Sequence, residues 1–151
     1  IYVMQSNLEK AKAEFDKANS LSPNNPVVNN NLGVYERASG NNEKAMEYYS
    51  AASGAGPAVG NNIGYLKLKD GDYVDAVSNY GGVKSFNAAL AQTLNKDYST
   101  ALQTIDASSS ANTAAGSYLK AVIGARMKDQ SLMVTNLKAA IAADALSLIH
   151  I

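Results

Sequence analysis

The sequence predicts an all-α protein assembled from short antiparallel helix hairpins. Three observations carry that prediction. A phrase recurs: Asn30–Asn42 reads NNLGVYERASGNN and Asn61–Asp72 reads NNIGYLKLKDGD, so that Gly33, Gly40, Ala45 and Tyr49 each precede their counterparts Gly64, Gly71, Ala76 and Tyr80 by one and the same interval. Apolar residues return every three or four positions, the spacing of one helix face. Each copy also places a glycine where a helix would end and an Asn or Asp just after it, where the next would begin.

The elements follow in chain order. Leu8, Ala11, Phe15 and Ala18 form one face of a first helix, and Pro23 closes that segment. Leu32 and Gly33 lie on a second helix that ends at Gly40, and Asn41 caps a third. That third helix carries Ala45, Met46, Tyr48, Tyr49 and Ala52 on one side. Ser53–Gly60 (SGAGPAVG) is rich in glycine but lacks the Lys-Ser/Thr ending of a phosphate loop, and reads as a turn. Ile63-Gly64, Gly71, Asp72 as a cap, Ala76 and Tyr80 repeat the pattern before Gly81-Gly82 breaks it. KDYSTA (Lys96–Ala101) then echoes GDYVDA (Gly71–Ala76) sooner than Gly71 itself follows Gly40, which predicts a compressed hairpin. A final pair, about Ala111–Lys128 and Gln130–Ala143, has Tyr118, Met133, Leu137 and Ala140 as core candidates.

These residues resemble the tetratricopeptide repeat (TPR), a helix–turn–helix unit with Leu-Gly in its first helix, a turn glycine, Ala–aromatic–Ala in its second helix and a late proline. Leu32, Gly33, Gly40, Ala45, Tyr49, Ala52 and Pro57 fall in that register. Ala11 to Ala45, Ala18 to Ala52 and Pro23 to Pro57 are each separated by the family's own period. The resemblance is specific as far as Tyr80 and weakens beyond it, where the Leu-Gly signature is lost. It implies a right-handed superhelical solenoid over 1–145, with units at about 1–24, 25–56, 57–82, 83–108 and 109–145. Tyr2 matches a late position of a first helix, and Leu146–Ile151 reads as a foreign or truncated tail, so the chain is expected to be a fragment of a larger protein.

In such a fold Gly33, Gly64, Ala45 and Ala76 let backbones approach, Tyr49 and Tyr80 fill the space between successive pairs, and the first helix of each unit lines a concave surface. By family register that surface carries Asn30, Asn31, Val34, Arg37 and Ala38, then Asn61, Asn62, Tyr65, Leu68 and Lys69. Phe86, Leu90 and Thr93 follow, then Tyr118, Val122 and Arg126. In some TPR proteins an Asn just before Leu-Gly grips the backbone of an extended peptide, and Asn31 and Asn62 match that position. An amide both donates and accepts, so it can hold a peptide group without reading a side chain. The alternative is that these amides are only solvated or bonded within the helix. Arg37 and Lys69 either attract an acidic partner or simply complement a helix C-terminus. Phe86, Leu90, Tyr65 and Leu68 form either an apolar groove or the core of a compressed unit. The carboxylate clamp of chaperone-binding TPR proteins is not expected, because Asn30, Val34 and Tyr65 replace the residues it needs.

Composition narrows the function. Thirteen basic and thirteen acidic residues cancel without a basic cluster, which disfavours nucleic acid. No apolar run is long enough for a membrane span, and IYVMQS has neither the basic start nor the apolar stretch of a signal peptide. Cysteine is absent, which removes disulfides, thiol catalysis and cysteine-bound zinc. The only histidine, His150, has no companion ligand, no serine has a histidine partner, and acids such as Glu9, Asp16, Glu43 and Glu47 sit beside lysines as ordinary surface charges. No residue here supports an enzyme, a cofactor or a metal site, and what the TPR resemblance implies is a scaffold that holds a protein or peptide partner. The alternative is a structural spacer or assembly module within a larger envelope protein. Sparse charge and abundant Asn, Ser and Tyr resemble envelope-associated TPR proteins of Gram-negative bacteria, which points to the periplasm or cell envelope.

Overall fold

A computed structural model describes residues 8–148, and side-chain environments over 8–144. Tyr2 and His150 therefore lie outside the described residues. Within them the protein is all-α, with helices α1 (Leu8–Leu21), α2 (Pro26–Ala38), α3 (Asn42–Ser50), α4 (Pro57–Lys69), α5 (Tyr73–Tyr80), α6 (Phe86–Leu94), α7 (Tyr98–Asp106), α8 (Ala114–Met127) and α9 (Gln130–Leu148). The tail expected from Leu146 onward begins inside α9, whose backbone stays helical to Leu148. The chain forms two compact units, Ile1–Asp70 and Gly71–Ile151.

In the first unit α2 begins where Pro26 supplies a preset φ and Asn25 caps it, its Oδ1 accepting from the amides of Val27 at 2.9 Å and Val28 at 3.3 Å. Pro57 likewise opens α4, but behind Gly56, which offers no side-chain cap. The structural partner of Pro57 is thus Pro26 rather than Pro23, which lies in the turn before α2. The interval between these two helix starts is the one that separates Gly33 from Gly64.

The end of α2 is a left-handed turn. Gly40 has φ +87°, and the Asn41 amide donates back to the Glu36 carbonyl at 2.8 Å, closing the helix. Asn41 occupies the expected cap position of α3 but makes no side-chain cap. Its amide group instead donates to Glu36 Oε2 at 2.8 Å. Glu36 is buried and also meets Lys44 Nζ at 2.8 Å, so one carboxylate ties the last turn of α2 to the first of α3.

Helices α2 and α3 pack through Gly33 and Tyr49. A Cβ at Gly33 would lie 2.5 Å from Tyr49 Cδ1, so only glycine admits the fully buried ring. Ala45, Tyr49, Ala52, Val59 and Leu66 form the core of this unit. Asn29, at the start of α2, is buried as well and donates to the Ala51 carbonyl at 3.2 Å, securing the far end of the hairpin. Helix α1 leans on α2, with the Phe15 and Tyr35 rings edge to face at 6.4 Å between centroids.

In the second unit Asp72, Ser85, Asp97 and Thr113 cap α5, α6, α7 and α8 through side-chain oxygens. The echo between GDYVDA and KDYSTA is therefore structural: Asp72 and Asp97 are caps, and Ala76 and Ala101 are fully buried. The core is Ala89, Ala101, Ile105, Leu119 and Ile123. Helices α8 and α9 form the tightest pair, because at Gly124 a Cβ would fall 2.7 Å from the Met133 amide nitrogen. Of the core candidates in this pair Ala140 is buried, but Tyr118 and Leu137 are 59% and 41% exposed. Tyr118 and Leu137 instead line open hollows at the surface.

Candidate binding groove

The first unit brings four of the predicted surface residues together in two pairs. Asn62 on α4 donates its amide to Asn30 Oδ1 on α2 at 2.9 Å. The bond joins positions offset by one from the sequence equivalence, which pairs Asn30 with Asn61 and Asn31 with Asn62. Asn31 is half-buried and makes no side-chain hydrogen bond among the described residues, whereas Asn61 holds its Oδ1 buried without a partner. The Arg37 guanidinium lies over the Tyr65 ring, 4.9 Å from its centroid. Lys69, in the last turn of α4, is exposed.

Two titrating groups behind this surface are shifted. Burial raises the Tyr49 phenol, and the nearby positive charge of Arg37 opposes the rise in part. Burial also works against ionisation of Glu36, but hydrogen bonds from Lys44 and Asn41 and the charge of Lys44 prevail, and the carboxyl is held below its ordinary value.

The second unit contains an open cavity. It measures about 370 Å³ and lies between α6 and α8, with the turn before α7 at one end. Phe86, Leu90 and Thr93 from α6 and Tyr118, Val122 and Arg126 from α8, the six residues that the register places on one surface, all line it. Leu94, Lys96, Tyr98 and Leu119 complete the wall. Phe86 and Leu90 are half-buried against the core and also face the cavity, so core and groove are two sides of the same residues. Tyr118 stands at the rim and is shared with a second hollow of about 410 Å³ along α8 and α9, where Leu137 and Ile141 are exposed.

The cavity is apolar with a cationic edge. Lys96 and Arg126 are its only charged lining residues, and neither forms an ion pair among the described residues. Lys96 has φ +66°, the left-handed conformation that Gly40 and Gly71 adopt at the corresponding turns. Sequence reasoning about the groove passed over Lys96. The signal was the turn register itself, since Asn95-Lys96-Asp97 falls where Ser39-Gly40-Asn41 and Asp70-Gly71-Asp72 do. Among the described residues no group of three or more His, Asp or Glu could hold a metal ion.

Comparison with protein-family models gives no match, and comparison with curated proteins gives none either.

Proposed function

We propose that this chain is a TPR-like interaction scaffold, a binding module rather than an enzyme, which holds a peptide segment of a partner protein on the surface lined by its first helices. One observation carries the reading: six residues assigned to that surface by repeat register alone line one cavity between α6 and α8. Consecutive first helices also pack on one another within each unit, α2 on α4 and α6 on α8, the arrangement that a stacked array requires. An apolar hollow with a few polar groups at its edge suits the anchor side chain of a peptide.

The experiment is selection of random short peptides displayed on phage against the immobilised chain. Recovered peptides should lose binding to Val122→Glu, which puts a carboxylate into the cavity wall, while Lys17→Ala, on the exposed face of α1, retains it. Circular dichroism confirms that both variants keep their helices. Failure to enrich any peptide, or equal binding to Val122→Glu, would overturn the reading.

The second reading, a structural spacer, is favoured for the first unit by the Asn62–Asn30 bond and the Arg37–Tyr65 stack. There Asn30, Asn62, Arg37 and Tyr65 engage one another rather than standing free. The scaffold reading accordingly assigns the partner to the second unit.

A further inference from the structure

We propose that the cavity between α6 and α8 selects peptides carrying a bulky apolar side chain beside a carboxylate. The inference rests on the scaffold reading and adds the chemistry of the partner. Phe86, Leu90, Leu94, Leu119 and Val122 make the wall mostly apolar beside the hydroxyl-bearing Thr93, Tyr98 and Tyr118, which favours an apolar group within it. The volume of about 370 Å³ accommodates one or two large side chains rather than a folded surface.

Charge decides what lies next to that anchor. No Asp or Glu lines the cavity, and the two cations on its lining, Lys96 and Arg126, are both exposed and lack an acidic partner among the described residues. An incoming carboxylate meets attraction without a competing internal ion pair, whereas an incoming lysine meets repulsion. Lys96 stands in the turn before α7. Its left-handed φ of +66° suits glycine, which the turns at Gly40 and Gly71 use. Lys96 fills that turn with a cation and also lines the cavity.

The experiment compares peptides recovered by the display selection, synthesised and measured by fluorescence anisotropy against the full chain. Enriched sequences should combine Phe, Leu, Ile or Met with a nearby Asp or Glu. Replacing the acid by its amide should weaken binding, and Lys96→Gln or Arg126→Gln should each weaken it by about two- to fivefold. Raising NaCl from about 50 mM to about 500 mM should weaken it further by screening the charges. Peptides that are neutral or basic, or whose affinity ignores both salt and the two substitutions, would overturn the acidic preference while leaving the groove intact. Peptides that also bind Val122→Glu unchanged, or the absence of any enriched peptide, would remove the groove and the preference together.

Discussion

Asn62 on α4 donates its side-chain amide to Asn30 on α2 at 2.9 Å, joining two consecutive first helices through a half-buried polar contact. Paired asparagines are poor choices for a helix interior by propensity alone. The bond gives one member of each pair a structural use. A net contribution of about 0.5–1.5 kcal/mol is expected from such a contact. Asn62→Ala should therefore lower the stability measured by urea denaturation by about 1 kcal/mol, and Asn30→Ala by a similar amount. A double-mutant cycle should return a coupling of at least about 0.5 kcal/mol, and strict additivity would show that the contact contributes nothing in solution.

Gly33 and Tyr49 set the closest approach of α2 to α3. Since a Cβ at Gly33 would sit 2.5 Å from a buried ring, Gly33→Ala must displace Tyr49 or separate the helices. The expected cost is about 1–3 kcal/mol in thermal or urea unfolding, even though alanine is the better helix former. Tyr49→Ala opens a cavity and is itself costly, but combined with Gly33→Ala the two costs should sum to less than their separate values. An unchanged melting temperature for Gly33→Ala would contradict the packing.

Glu36 makes stability depend on pH in a defined direction. Its folded carboxyl ionises below the ordinary value, with Lys44 and Asn41 as the causes that overcome burial. The unfolded chain therefore binds the proton more readily than the folded one. The contribution of the ionised group is complete above about pH 4.3, the value for an unperturbed glutamate, and is lost as pH falls through the lower folded value. Stability measured between about pH 7 and about pH 3 should fall less steeply for Glu36→Gln than for the parent chain. Parallel curves would separate Glu36 from the acid sensitivity.

Much of the helical layout was legible because it rests on local chemistry. Gly40 and Gly71 are left-handed as a helix end requires, Asp72 and Asp97 cap their helices, and Tyr49 rests on Gly33. What was not legible depends on which polar groups meet across helices. Asn41 looked like a cap, but Glu36 is buried within reach and takes its amide instead. Tyr118 and Leu137 carried the apolar period of core residues, yet they line open hollows and stay exposed, because periodicity marks a helix face without showing what packs on it. The register implied by the TPR resemblance grouped six residues of α6 and α8 that line one cavity. It could not show that Asn62 would turn to Asn30, because an offset of a single position in pairing depends on how the helices rotate against each other.

Lys96 is where stability and binding should separate. A non-glycine residue in the left-handed region is disfavoured by roughly 1–2 kcal/mol, while glycine raises the entropy of the unfolded chain by a smaller amount, about 0.4–1 kcal/mol. The strain is the larger effect, so Lys96→Gly should stabilise the protein by about 0.5–1 kcal/mol in urea denaturation. Asp97 still caps α7 in this variant, and its amide can still close the turn on the Gln92 carbonyl. The same substitution removes one of the two cations lining the cavity and should weaken binding of acidic–apolar peptides by about two- to fivefold. Lys96→Ala removes the charge but keeps a Cβ in the left-handed conformation, so it should weaken binding equally without the gain in stability. If Lys96→Gly gained stability and bound such peptides as well as the parent chain, the lysine would be a strained turn residue with no part in recognition.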